Sequence, residues 1–121
     1  MPIAAKQDDT RRLVVARASG PLLTTDVMAF ISDRRTGSGR HDRLLFDLRD
    51  VTTMPSGDEL RSLAELLATL SRTLGRGRAA LVASTTTVYA SARILELLCH
   101  ELGVNTVRAC HDLADAEAWL A

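Results

Sequence analysis

Residues 44–60, LLFDLRDVTTMPSGDEL, change their hydrophobic period in mid-stretch, and that change decides the fold. LLFDL is an apolar run broken only by Asp47. It fits a central strand covered on both faces, which makes Asp47 a buried or rim carboxylate. From Ser56 onward the apolar residues fall at Leu60, Leu63, Leu67, Leu70 and Leu74, one stripe of a helix, with Arg61, Glu65 and Arg72 on the wet side. Ser56 and Glu59 have the spacing of a capping box, in which hydroxyl and carboxylate satisfy free first-turn amides reciprocally. A serine followed by Gly57 thus stands past the carboxyl end of a strand, at the positive end of a helix. Open α/β sheets bind ligands at such edges, and a phosphate would be well tolerated there.

The flanking segments extend the alternation. Towards the N-terminus, residues 12–19, RLVVARAS, form an apolar run closed by Gly20 and Pro21, a strand ended by a turn. Thr24 or Thr25 can cap the next helix, where Val27, Phe30, Ile31 and Arg34 keep helical spacing. Towards the C-terminus, Gly75 and Gly77 stop the leucine-striped helix, and residues 78–83, RAALVA, supply a third strand. The hydroxyl run Ser84, Thr85, Thr86 and Thr87 leads into a helix over residues 88–102, with Val88, Ala92, Leu95, Cys99 and Leu102 as its buried stripe. Arg93, Glu96 and His100 fall opposite. Gly103 and Asn105 close it, residues 106–110 make a fourth strand, and Asp112 caps a last helix.

Short links between alternating strands and helices argue for parallel neighbours, because parallel strands need crossovers. The expected fold class is α/β: a single-layer mixed, largely parallel sheet of four to five strands with α-helices packed against it. At 121 residues the chain fits one domain over 1–121.

Composition narrows the function classes. Fifteen basic and fifteen acidic residues cancel, so no long-range field draws nucleic acid or an anionic membrane. Arg34, Arg35, Arg40 and Arg43 around one glycine loop, and Arg72, Arg76 and Arg78 around another, read as solvated loop charges. Aromatic residues make up only 3% of the chain, leaving no stacking platforms for bases and an aliphatic core. No apolar run is long enough for a membrane span. Cys99 and Cys110 form no C-x-x-C pair and the N-terminus has no apolar signal core, which implies a reducing, cytoplasmic setting.

Catalytic and cofactor signatures are weak. Ser38 and Ser56 lie outside any G-x-S-x-G elbow, and the histidines fall in a loop at His41, on a polar helical face at His100 and after the last strand at His111. The doublets Cys99-His100 and Cys110-His111 suggest metal, yet adjacent helical residues point about 100° apart and do not chelate together. GRGR at Gly75 precedes a strand instead of following one, so it is no dinucleotide fingerprint. Neither a cofactor nor a metal site is expected. What remains is the sheet edge where the Ser56-Gly57 helix start and the start formed by Ser84, Thr85, Thr86 and Thr87 should approach each other, with Tyr89 one turn further in. This edge is a candidate anion or polar head-group site, although the same residues also read as plain caps.

The order of elements resembles the SpoIIAA-like branch of the STAS fold, the domain named for sulfate transporters and anti-sigma factor antagonists. In those antagonists a strand ending in D-L-S precedes a loop of the type F-M-D-S-S-G, whose serine before the glycine is phosphorylated by a partner kinase. Here FDLRDVTTMPSG carries Asp47-Leu48 and then Met54-Pro55-Ser56-Gly57, so Ser56 falls on the phosphorylated position while Pro55 departs from the pattern. The C-terminal half, RAALVASTTTVYASARILELL and VRACHDLADAEAWL, is similar to small bacterial SpoIIAA-like proteins, matching them at Tyr89, Arg93 and Trp119. These share their fold with lipid-carrying Sec14-type domains. Trp119 itself reads as an apolar plug locking the last helix onto the sheet.

Three functions compete on these grounds. The first is a non-enzymatic regulatory module that meets a partner protein or kinase through the edge formed by Asp47, Ser56, Gly57, residues 84–87, Tyr89 and Arg93, with Ser56 as phosphoacceptor. The second is a carrier of a small apolar or lipid-like ligand between the sheet and the first two helices. An enzyme of unknown reaction is the third. A homodimer stays open.

Overall fold

The computed structural model describes residues 3–36, 43–74 and 77–121. Ser38, Arg40, His41, Gly75 and Arg76 lie outside the described residues, as do the side chains of Arg34, Arg35, Arg72 and Leu74. The chain forms β1 (Ile3–Asp8), β2 (Leu13–Pro21), α1 (Thr24–Thr36), β3 (Arg43–Thr53), α2 (Gly57–Leu74), β4 (Ala79–Val82), α3 (Thr86–Glu101), β5 (Val107–Cys110) and α4 (Leu113–Leu120). The five strands make one sheet in the order β1-β2-β3-β4-β5. β1 pairs antiparallel with β2, and each later neighbour pairs parallel.

This order fixes where the helices go. Each crossover from β2 to β5 steps in the same direction, and right-handed crossovers that all step one way lay their helices on one face. The first apolar cluster accordingly joins Ala16, Phe46, Leu81 and Ala109 of the sheet to Val27, Phe30, Leu60, Leu63, Val88 and Leu95 of α1, α2 and α3. Strand residues one step out of phase, Leu13, Leu45, Ala80, Val82 and Cys110, meet Ala116 and Leu120 of α4 on the other face. α4 connects no two strands of the described sheet, so the crossover rule does not oblige it to join the other three helices.

β1 differs from the expected start of the sheet. IAAKQD is poor in β-branched residues, and pattern alone does not mark it as a strand. It forms because the turn after it folds it back on β2, with Asp8 accepting from the Arg11 amide at 3.1 Å and Arg12 in the left-handed region at φ 53°.

Helix ends also depart in detail. Neither Thr24 nor Thr25 caps α1. The Leu23 carbonyl accepts from the Asp26 and Val27 amides at 3.1 and 3.2 Å, and the Thr24 hydroxyl turns away to Glu59. α3 ends one residue before Leu102, which is exposed at the cap instead of closing the buried stripe. There the Val104 amide donates to the Cys99 carbonyl and the Gly103 amide to that of His100, a Schellman turn that needs Gly103 at φ +86°. α4 starts as the sequence indicates, Asp112 accepting from the Asp115 amide at 2.9 Å. The guanidinium groups of Arg43 and Arg78 hold its last carbonyls, at Leu120 and Trp119, favourable at the negative end of a helix.

Candidate functional site

β3 has 11 residues, and its pairing with β4 ends at Asp47 opposite Val82. Beyond that point it runs on against β2 alone as far as Thr53, so α2 starts further along than α3. The six extra residues span up to about 20 Å of extended chain. Among the described residues no hydrogen bond joins the Ser56-Gly57 start to Ser84, Thr85, Thr86 or Thr87. These four are exposed, and Thr85 caps α3 by accepting from the Val88 amide at 3.4 Å.

At the α2 start both arms of the capping box are present. The Ser56 amide donates to Glu59 Oε1 at 3.1 Å, and the Glu59 amide donates to Ser56 Oγ at 3.3 Å. Glu59 Oε2 accepts from the Thr24 hydroxyl at 2.6 Å, which clasps the start of α1 to the start of α2. Hydrogen bonds from Thr24, then from the Ser56 amide and hydroxyl, hold the Glu59 carboxyl below its usual pKa. The sequence marks the box. It does not mark Thr24, whose contact depends on how two helices sit side by side.

Below this clasp, between α1, α2 and the sheet, lies a cavity of about 80 Å³. Leu22, Val27, Phe30 and Ile31 wall it on one side, Pro55, Leu60, Leu63 and Leu67 on another, and Leu44, Phe46, Leu48, Ala79 and Leu81 form its floor. Every side chain that lines it is apolar. Water needs two to four polar partners to settle in such a space, and these side chains offer none.

Asp47 sits on the opposite face of the sheet. It is 6% exposed and receives Arg49 Nε and Nη2 at 2.9 Å each, with the Arg49 amide at 3.0 Å. Those bonds outweigh burial and lower its pKa. The second face carries a further ion pair, Arg17 with Asp50 at 2.7 Å. Tyr89 and Arg93 engage partners other than Ser56. Tyr89 stacks on His111 with centroids 3.7 Å apart, and Arg93 pairs with Glu96.

The thiols are packing groups. Cys99 is fully buried, and burial, with Glu96 adding to it, pushes its pKa up to about 11. Its neighbour His100 is exposed. Among the described residues no group of three or more His, Cys, Asp or Glu side chains is placed to hold a metal ion. None of the helices described is long and apolar enough to cross a membrane.

Fold and site together define a mixed α/β domain wound in one direction, with an apolar cavity under its main helical layer. Compared with known proteins, the chain matches no family model and no curated protein.

Proposed function

We propose that this chain is a small non-enzymatic binding module of the STAS, SpoIIAA-like type that accommodates a slender apolar or lipid-like ligand between its sheet and helices α1 and α2. The observation that carries this reading is the wholly apolar cavity. Native interiors are packed to crystal-like density and voids beyond a water molecule are few, so an apolar space of about 80 Å³ is a feature to explain. An apolar chain entering it supplies the contacts that the lining side chains lack. At about 80 Å³ the space is smaller than the ~150 Å³ that admits benzene, so it takes only part of a longer apolar chain. A wider ligand requires α1 to part from α2, and the Thr24–Glu59 clasp stands at that seam.

Native mass spectrometry of freshly purified protein tests this. An adduct that is present in the native spectrum and lost on denaturation is expected. Absence of an adduct, both as purified and after incubation with decan-1-ol, would oppose the proposal.

A second reading keeps the regulatory role, in which a partner protein or kinase addresses the exposed Ser56. The observation that favours it is the same clasp. A phosphate on Ser56 would face the Glu59 carboxylate that the Ser56 amide now engages, and the repulsion would pass through Thr24 to α1.

A further inference from the structure

A second cavity lies on the other side of α3. Leu95 of this helix lines the apolar cavity, whereas Tyr89 and Arg93 line an open groove of about 490 Å³ along the outer edge of β5, walled opposite by α4. The groove holds polar groups that are fixed in place yet have hydrogen-bonding capacity to spare. Arg108 lies over the indole of Trp119, 4.6 Å from the ring centroid, and among the described residues its guanidinium makes no hydrogen bond or ion pair. Arg93 is oriented by Glu96, whose other oxygen accepts from the Ala109 amide at 2.7 Å. The Tyr89 and His111 rings stack within 15° of parallel, and neither ring's polar atoms have a partner among the described residues.

Two guanidinium groups oriented by other contacts border one groove, and each can take a tetrahedral oxyanion with less side-chain freedom to lose on binding. Asp115 on the α4 wall sets a limit. Its carboxylate opposes a polyanion, so the groove suits a ligand with one anionic group and an organic remainder. The stacked Tyr89–His111 pair offers that remainder an aromatic surface.

We propose that this groove is a binding site for a small phosphomonoester, with Arg108 and Arg93 taking the phosphate oxygens and the organic part lying against Tyr89 and His111. The site is independent of the apolar cavity. Trp119, the only tryptophan in the chain, reports on it directly. Phenyl phosphate added to the full chain at low ionic strength should change Trp119 fluorescence saturably and release or absorb heat in calorimetry, binding at least tenfold more tightly than inorganic phosphate. Arg108→Gln should weaken binding at least tenfold and Arg93→Gln at least threefold, both read by calorimetry with the fold checked by circular dichroism. Absence of saturable binding, or Arg108→Gln binding as tightly as the parent chain, would overturn the site. Equal affinity for inorganic phosphate would overturn the place given to the organic part.

Discussion

Asp47 shows at the scale of a residue what alternation reveals and what it hides. A carboxylate inside an apolar strand announces a buried or rim charge, and Asp47 is buried. Its partner is two residues on, where strand geometry returns a side chain to the same face, so the Asp47–Arg49 pair is legible once the strand is assigned. The ion pair should matter to stability. Arg49 is 39% exposed, which discounts the pair, and Asp47→Asn should cost about 1 kcal/mol at neutral pH. The folded-state pKa lies below the ordinary value of 3.8, so this contribution is complete above 3.8 and is lost as the pH falls through the lowered folded value. Urea unfolding of both chains at pH 7 and near pH 2 should therefore show a gap that shrinks in acid. A gap unchanged by acid would remove the ionised pair from the explanation.

At the scale of an element, α2 and α3 were written plainly in their periodicity, and β1 was not. Leu60, Leu63 and Leu70 of α2, and Val88, Ala92, Leu95 and Cys99 of α3, are the buried stripes that the spacing marks. β1 takes its conformation from β2, and its own residues give no strand pattern. The capping box at Ser56 was legible because it is local, and its link to Thr24 was hidden because it is tertiary. Ser56→Ala removes the cap acceptor and should destabilise the chain by about 1 kcal/mol. Ser56→Asp keeps a side-chain acceptor while placing a negative charge beside Glu59. Under the regulatory reading, immobilised Ser56→Asp should capture a different set of proteins from the parent chain, with a smaller loss of stability than Ser56→Ala. Identical capture by the two would count against a regulatory role for Ser56.

For the whole molecule, strand and helix order determined the parallel core. The separation of α4 from the other helices was not legible, because it depends on which face of the sheet three successive crossovers have already filled. The cavity was equally hidden. It arises where Phe30, Leu63, Phe46 and Ala79, distant in sequence, fail to meet, and no local pattern records a gap. The approach expected between the two helix starts shows in no hydrogen bond among the described residues, and β3 runs on past its pairing with β4, a length set by its pairing with β2.

The central claim is that the cavity is a place for an apolar ligand, and thermal unfolding with and without decan-1-ol, in the parent chain and in Ala79→Ile, tests it most directly. Ala79 lines the space from a strand, where a larger β-branched side chain fits the backbone and fills the void. Decan-1-ol at 100 times its dissociation constant should stabilise the parent chain by about 2.7 kcal/mol, about 10 °C in Tm for a chain of this size. Ala79→Ile should melt above the ligand-free parent and gain almost nothing from the alcohol. A parent chain that does not respond, or a variant that responds equally, would contradict the account.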